Sequence, residues 1–469
     1  MKRHRLENGQ ALVLIVLAIV GMMGFAALAV DFGKYYSERR RAQNAADAAA
    51  LAAGFTSTRP IAGLTPPYTQ AEIDQAVNQA ATDSLIHNGF VNNPGLVDIQ
   101  INHPPLTGPY ATDPHNMDYY QIVIHAVVDK VFSQFVYTGP FEFTVEAITH
   151  ITQTTGIAGP NAIRVLSPDA CQSLMFDGDK EKLDANGNVI SGGIRVNGGN
   201  ISSDSTAGNC PGRPPETRGA SCTSGVQNGG GTITITGGSL NLSGTWRAQS
   251  GSGTVNGPIN ECQPQEPAIT MPKPDCSYLP VVSQGSYNGD YSGENGAPVL
   301  NPGQYINGIK VTGNGTNIHL TPGMYCLSGD MSMTNGDLSG DGVMFYMAGG
   351  SFNVGGGTIA NLTYPTSLPD HSLPGWNWAG MLIYMPLENT GQVSIGGGSS
   401  SSYSGTIFAP GLPPNNGTYK CDVGGSGTSL NVDSSIICYT LKVHGSATFH
   451  VDYNESRNFK FPASLDLTR

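Results

Sequence analysis

The chain has 469 residues, a formal net charge of −12, 12% charged residues, 62 glycines and eight cysteines. Residues 1–54 carry seven Lys and Arg against four Asp and Glu, whereas the remaining residues carry sixteen against thirty-one. An acidic body lacks the basic surface that nucleic acids require, so no nucleic acid partner is expected. The 39% apolar content argues against disorder and, together with the abundant glycine, favours β structure.

The first predicted element is an uncharged apolar run of twenty residues, 11–30, which continues into a helix-forming stretch that ends at Gly54. Twenty helical residues at ~1.5 Å rise span ~30 Å, the thickness of the hydrocarbon core of a bilayer. The pattern predicts a transmembrane and continuing helix over residues 11–54, preceded by a cytoplasmic tail of residues 1–10. A cleaved signal peptide is the alternative, because basic residues precede the run and cleavage between Ala29 and Val30 would follow an A-x-A site.

Basic residues flank both ends of the apolar run, so the positive-inside rule does not decide its orientation. All eight cysteines lie beyond residue 170, which is typical of an exported domain with disulfide bonds. We expect a single-pass protein of the bacterial cell membrane, with its N-terminus cytoplasmic and the bulk of the chain extracytoplasmic or at the cell surface.

Residues 8–54 carry a dense motif around this helix. It comprises Gly9-Gln10, the apolar run, Val30-Asp31-Phe32-Gly33, the pair Tyr35-Tyr36, and Gln43-Asn44-Ala45-Ala46-Asp47-Ala48-Ala49-Ala50-Leu51-Ala52. This segment resembles the N-terminal module of the TadE/TadG-like proteins of tight-adherence (Flp) pilus assembly. The resemblance implies an envelope protein related to pilin-like subunits, whose partners are the lipid bilayer and pilus-assembly or envelope proteins.

The same resemblance raises the question of processing between Gly9 and Gln10. Pilin-like proteins that are cut by a prepilin peptidase usually carry Glu five residues after the cleaved Gly. Leu14 stands at that position here, which argues against this cleavage and against incorporation into a filament.

Residues 55–158 predict a small helix-plus-antiparallel-sheet region. The sequence Thr65-Pro66-Pro67 ends the first helix, and Thr69 with Glu72 forms a capping box for a second one. Three alternating stretches, beginning near residues 97, 120 and 141, then predict a three-stranded meander. Pilin-like proteins have the same plan, and residues 132–147 resemble the last hairpin of that family.

Residues 159–190 are expected to form a linker with a tight turn at Asn186-Gly187, and residues 456–469 a C-terminal tail. Between them, residues 191–455 alternate short apolar strands with Gly-Gly or Asn-Gly turns, and Leu300-Asn-Pro-Gly-Gln-Tyr recurs twenty residues later as Leu320-Thr-Pro-Gly-Met-Tyr. This pattern is typical of a β-solenoid, and we expect a right-handed parallel β-helix. A β-sandwich is the alternative. The fold class is therefore mainly β with an N-terminal α/β part.

The eight cysteines allow 105 pairings, which sequence alone does not resolve. Proximity along the chain favours Cys210–Cys222, Cys262–Cys276 and Cys421–Cys438, which leaves Cys171 with Cys326.

The chain contains no nucleophile motif, metal motif or phosphate loop, so we expect no enzyme, catalytic residue, metal site or cofactor. The interpretation is a structural or adhesive protein of tight-adherence pilus assembly or surface attachment. An envelope-tethered β-helix enzyme that acts on carbohydrate, or a glycan-binding protein, is the alternative. Asp330, Asp337 and Asp341 cluster in the sequence, although turn formation beside Gly explains them as well. Trp376 and Trp378 could stack on a surface glycan, or could cap or plug the solenoid.

Overall fold

The computed structural model describes residues 10–58, 69–135, 138–152, 156–186, 189–249, 251, 253–288, 299–313, 315–373, 376–396, 400–415, 417–425, 427, 429–462 and 464–468. Gly9, the predicted helix break at Thr65-Pro66-Pro67, and Gly187 of the predicted turn lie outside these residues. The chain divides into two compact units, Met1–Thr154 with Ala463–Arg469, and Thr155–Pro462. The protein is mainly β, with a long apolar helix at its N-terminus.

The first unit packs two helices against one antiparallel sheet. Its elements are α1 (Gln10–Ser57), α2 (Gln70–His87), β1 (Val97–Asn102), β2 (Tyr119–Val128) and β3 (Phe141–Thr152), with short 3₁₀ turns at Pro109–Thr112, Asn116–Asp118 and Ser133–Phe135. The predicted capping box of α2 is confirmed, because the backbone N–H of Thr69 donates to Glu72 Oε2 at 2.7 Å and that of Glu72 donates to Thr69 Oγ1. The three predicted strands are also confirmed.

A fourth strand, Ser464–Thr468, pairs with the outer edge of β3. The expectation of a C-terminal tail over residues 456–469 is therefore wrong. The segment alternates apolar and polar residues, and Leu465 packs against the core of this unit while completing the hydrogen bonds of β3.

The second unit consists of short parallel strands in three ladders, which we call A, B and C. Ladder A contains, in spatial order, Trp246–Ala248, Gly225–Gln227, Leu174–Gly178, Leu441–Gly445, Cys421–Gly425, Val393–Ile395, the first parts of Phe352–Thr363 and Met331–Gly340, Ile309–Thr312 and Ser286–Asn288. Ladder B contains Val255–Asn256, Ile233–Thr236, Ile194–Asn197, Thr448–Asp452, Ser429–Asp433, Ser401–Ser404, the second parts of Phe352–Thr363 and Met331–Gly340, Ile318–Leu320 and Val299–Leu300. Ladder C contains Ile259–Asn260, Leu240–Leu242, Asn200–Ser203, Asn161–Val165, Ile436–Cys438, Thr406–Ala409, Met381–Tyr384, Val343–Met347, Gly323–Leu327, Gly303–Tyr305 and Val281–Val282.

The chain passes through these ladders repeatedly in the order A, B, C. Two long strands, Met331–Gly340 and Phe352–Thr363, belong to both A and B and join them into one sheet. An antiparallel pair, Lys182–Leu183 with Val189–Ser191, and a 3₁₀ turn at Glu455–Arg457 lie outside the ladders.

The first strand of the second unit, Asn161–Val165, lies in the middle of ladder C and not at an end. It pairs with Asn200–Ser203 on one side and with Ile436–Cys438 on the other. The predicted linker over residues 159–190 is therefore wrong. Its residues include two interior strands, Asn161–Val165 and Leu174–Gly178, in which Ile163, Val165, Leu174 and Phe176 are buried. These strands are followed by turns without the Gly-Gly pattern, so the sequence carries no repeat signal for them.

Residues 261–280, which we call the strap, connect one end of ladder C to the other. The strap crosses a row of side chains in register: Gln304, Cys326, Tyr346, Tyr384, Phe408, Ile437 and Arg164. Five of these residues belong to an apolar cluster separate from the main core, and Ile269, Met271 and Leu279 of the strap pack against that cluster. The strap thus covers an apolar face of the sheet that would otherwise contact water.

Polar contacts hold the strap along its length. Near its start, the guanidinium of Arg164 donates to the carbonyl of Pro267 at 2.7 Å and pairs with Glu266. Farther along, the hydroxyl of Tyr384 donates to the carbonyl of Pro272 at 3.0 Å. Near its end, Gln304 Nε2 donates to the carbonyl of Leu279 at 2.8 Å.

Four disulfides stabilise this unit: Cys171–Cys222, Cys210–Cys262, Cys276–Cys326 and Cys421–Cys438. The expected Cys421–Cys438 pair is present, and the other three expected pairings are wrong. The three unexpected bridges join residues 50 to 52 positions apart. In stacked parallel strands, residues far apart in sequence become neighbours, so proximity along the chain is a poor guide to pairing.

Candidate functional site

The N-terminal part of α1 is an apolar surface that the rest of the described chain leaves uncovered. Nearly every side chain from residue 12 to residue 30 is exposed, including Leu12 at 67% and Phe25 at 77%. By length and composition, α1 is long and apolar enough to cross a membrane. A water-exposed apolar surface of this size would be costly, so a lipid environment explains it best.

Asp31, the first residue after the apolar run, binds three consecutive backbone amides. The N–H groups of Val131, Phe132 and Ser133 donate to its carboxylate at 3.1, 3.0 and 2.5 Å. Asp31 is 1% exposed, and the side chain of Ser133 together with these amides lowers the pKa of Asp31 to about 2. The carboxylate therefore fastens the hairpin between β2 and β3 to α1.

Aromatic side chains continue this contact along α1. The ring of Phe32 lies 5.7 Å from that of Phe141, and the ring of Tyr35 lies 5.8 Å from that of Phe143. Lys34 Nζ donates to the carbonyl of Asp129 at 3.0 Å. The motif residues that follow the apolar run therefore pack against the near end of β3 and its hairpin.

The alanine-rich part of the motif forms the packing face of α1. Its fully buried members are Ala42, Ala45, Ala46, Ala49, Ala50 and Ala53. Small side chains let the helix backbone approach α2 and the sheet closely, and all six belong to one core with β2, β3 and α2. Gln43 adds a specific contact, because its Nε2 donates to the carbonyl of Glu146 at 3.0 Å.

Gly54, the last residue of the motif, lies in close contact with Thr149 and Leu465. A Cβ atom on this residue would lie 2.6 Å from Thr149 Cγ2 and 2.9 Å from Leu465 Cδ2. The glycine therefore permits α1 to pack on β3 and on the C-terminal strand.

The comparisons with known proteins agree with this picture of α1. The family model described as putative Flp pilus-assembly TadE/G-like matches residues 9–56, about a tenth of the chain. No curated protein and no solved structure matches the chain. The match and the apolar helix together fit a single-pass, membrane-anchored protein associated with pilus assembly.

Of the two tryptophans considered for glycan contact, Trp376 is partly buried and Trp378 is fully buried. Trp378 is 0% exposed, and its ring stacks on Phe459 at 5.7 Å while its indole Nε1 donates to Asp370 Oδ2 at 2.8 Å. Both tryptophans pack with the apolar cluster on the outer face of ladder C. They cover the side of the stacked strands, as expected if these tryptophans have a structural role. Trp378 presents no ring face to a sugar.

Asp330, Asp337 and Asp341 are all exposed and lie in turns or at strand surfaces. The carboxylate of Asp330 accepts from the backbone N–H of Ser351 at 2.7 Å, and that of Asp341 accepts from Thr363 Oγ1 at 3.2 Å. Both contacts are structural, because they join neighbouring segments of the stack that are 21 and 22 residues apart in sequence. Among the described residues, no group of His, Cys, Asp and Glu is arranged to hold a metal ion.

Lys420 in the second unit is a buried cation, and no pattern in the sequence predicts its burial. Lys420 is 0% exposed, and its Nζ donates to the carbonyls of Asn389 and Gly391 at 2.5 and 2.6 Å. Burial lowers its pKa to about 8. The contacts join neighbouring loops of the stack, so we assign Lys420 a structural role.

Proposed function

We propose that the protein is a membrane-anchored, extracytoplasmic structural or adhesive protein that acts in tight-adherence (Flp-type) pilus assembly or surface attachment. The observation that carries the proposal is the division of α1. Its first half is an uncovered apolar surface, and its second half, within the same family match, is the packing face of a small folded unit. Such a helix holds a folded unit next to a bilayer.

The first unit is, in this proposal, a pilin-like fold. A long N-terminal helix lies on an antiparallel sheet, and its exposed apolar half precedes the packed half. In pilus assembly, this arrangement would let the unit contact other envelope proteins of similar plan while it stays in the membrane.

The second unit is proposed to be a right-handed parallel β-helix that is displayed outside the membrane. The repeated A, B, C order of parallel pairing supports a helical coil, and parallel crossovers are right-handed in nearly all proteins. Four disulfides support an oxidising compartment. The N-terminal tail would then lie in the cytoplasm.

We also propose that the protein is not an enzyme. The carboxylates of Asp330 and Asp341 make structural hydrogen bonds to neighbouring segments of the stack, and Trp378 is buried. If Ala substitutions of Asp330, Asp337 and Asp341 abolished a polysaccharide turnover that the native protein performs, this part of the proposal would be wrong.

The experiment for the main proposal combines flotation, N-terminal analysis and affinity purification from the native cell. We expect the full chain to float with membranes, to begin at Met1, and to co-purify with pilus-assembly proteins. A matched variant with Leu17→Arg and Val20→Arg should lose membrane association while both units stay folded. A mature N-terminus at Val30 would indicate a released secreted protein and would contradict the anchor. One at Gln10 would indicate a pilin-type subunit that keeps the apolar run, and would contradict the expected start at Met1.

A further inference from the structure

The hairpin that Asp31 fastens carries two exposed apolar side chains. Val131 is 44% exposed and Phe132 is 46% exposed, although both backbone N–H groups are held by the buried carboxylate. Exposed apolar residues at a hairpin tip that is tied down by hydrogen bonds are not explained by packing within this unit.

The position of this tip relative to the apolar run is fixed by the contact itself. Asp31 directly follows Val30, the last residue of the run, so the tip lies at the level where α1 leaves the hydrocarbon core. Phe32, beside it, is 47% exposed. Val131 and Phe132 of the tip therefore extend the exposed apolar surface of α1 to one side of the helix.

The charges around the tip suit a bilayer surface. Lys34 and Lys130 reach toward carbonyls on either side of the hairpin, at Asp129 and Gly139, and the exposed Arg39 and Arg40 follow along α1. Aromatic and aliphatic side chains next to Lys and Arg are the usual composition of a membrane interface.

We propose that Val131 and Phe132 insert into the interface of the lipid bilayer beside α1 and give the first unit a second, peripheral contact with the membrane. This inference rests on the proposed membrane anchor. A single helix would leave the unit free to tilt and swing, whereas a second contact point sets its orientation on the membrane surface.

A matched control lies at the other end of the sheet. Leu106 is 69% exposed, and its backbone N–H donates to Gln121 Oε1, while Gln121 pairs with Ile148 of β3. The hairpin end of β3 is Phe141, seven residues away, which corresponds to roughly 24 Å along the strand. Leu106 is thus at least as apolar and exposed as Phe132 but lies far from the bilayer.

The test uses spin labels on single introduced cysteines, which is feasible because all eight native cysteines are paired. Phe132→Cys and Leu106→Cys are each made in the full chain, labelled and placed in phosphatidylcholine–phosphatidylglycerol vesicles. Collision rates with oxygen, which concentrates in lipid, are compared with those of a water-soluble nickel chelate. We expect the oxygen-to-nickel ratio at position 132 to be several-fold higher than at position 106.

Equal, water-like ratios at both positions in protein that floats with the vesicles would overturn the second contact and leave the anchor intact. Protein that fails to float would overturn the anchor and this inference together. Because both labelled positions are exposed, neither substitution removes a buried contact, and the amide of residue 132 can still bind Asp31.

Discussion

At the scale of single residues, Asp31 shows how one buried carboxylate can organise a small unit. A residue between a membrane segment and a packed helix would normally be solvated, yet here it accepts three backbone hydrogen bonds from one hairpin. Asp31 belongs to the N-terminal motif, but its role could not be predicted, because its partners are about one hundred residues away in sequence. A long-range side-chain contact of this kind leaves no local pattern.

We predict that Asp31→Asn destabilises the first unit at neutral pH. The wild-type pKa is lowered from 3.8 to about 2, so its stabilising contribution is complete above pH ~4 and is lost as the pH falls through about 2. Hydrogen exchange should be faster at the amides of residues 131–133 in the variant at pH 6, and the difference in stability from wild type should shrink toward pH 2. A difference in unfolding stability that is the same at pH 6 and pH 2 would contradict the assigned role.

A second prediction concerns the buried Lys420. Lys420→Met keeps the aliphatic stem but leaves the carbonyls of Asn389 and Gly391 without their donor, at a cost of about 1–3 kcal/mol for each group. The exposed Lys310 on ladder A is the control, since its change to Met should alter stability by less than about 0.5 kcal/mol. Urea unfolding followed by tryptophan fluorescence measures both, because all three tryptophans lie in the second unit. Equal stability of the two variants would argue against this contact.

At the scale of elements, the helices and strands that carry a local sequence pattern were predicted correctly. The apolar run, the capping box and the three strands of the first unit each carry a periodicity or a spacing that physical rules interpret directly. The C-terminal strand and the two interior strands within 159–190 were missed, because they lie outside the repeated glycine-turn pattern and each is identified only by its partner. The two interpretations of the tryptophans stayed open for a related reason, since the strap and the loops that cover ladder C have no periodic signal.

The close packing of α1 gives a prediction at this scale. Gly54→Ala would place a Cβ against Thr149 and Leu465, and overpacking of this kind costs about 1–3 kcal/mol. Gly33→Ala is the matched change in the same helix, where a Cβ meets nothing within 4 Å, and helix propensity should make it neutral or stabilising by up to about 1 kcal/mol. Thermal unfolding of the full chain in detergent measures both. A Gly54→Ala protein as stable as wild type would show that α1 does not pack this tightly.

The strap gives the other prediction at this scale. Cys276→Ser with Cys326→Ser opens a loop of about 50 residues, which the chain-entropy model values at about 4 kcal/mol. Limited proteolysis should then cut within residues 261–280. The control pair, Cys421→Ser with Cys438→Ser, also destabilises the unit but should leave the strap uncut. Cleavage of the strap in neither variant would mean that the remaining contacts hold it without the bridge.

At the scale of the whole molecule, the order of strands could not be predicted. The repeated short strands and glycine turns indicated parallel stacked strands, but nothing in the sequence states that the chain enters ladder C in its interior. That topology makes Asn161–Val165 and Ile436–Cys438, the first and last strands of ladder C along the chain, direct neighbours in space, and it requires a strap to connect the two ends. The disulfide errors have the same origin, because correct pairing depends on which strands are adjacent.

The proposed whole is a membrane anchor that carries a small packed unit and a larger displayed one. Labelling with a membrane-impermeant maleimide tests this arrangement most directly, using intact cells or spheroplasts and one introduced cysteine at a time. Leu412→Cys, at a position 57% exposed in the second unit, should be labelled from outside, whereas Asn8→Cys in the tail should be labelled only after the membrane is opened. Both proteins should remain in the membrane fraction. Protection of position 412 in sealed cells, or labelling of position 8 from outside, would contradict the account.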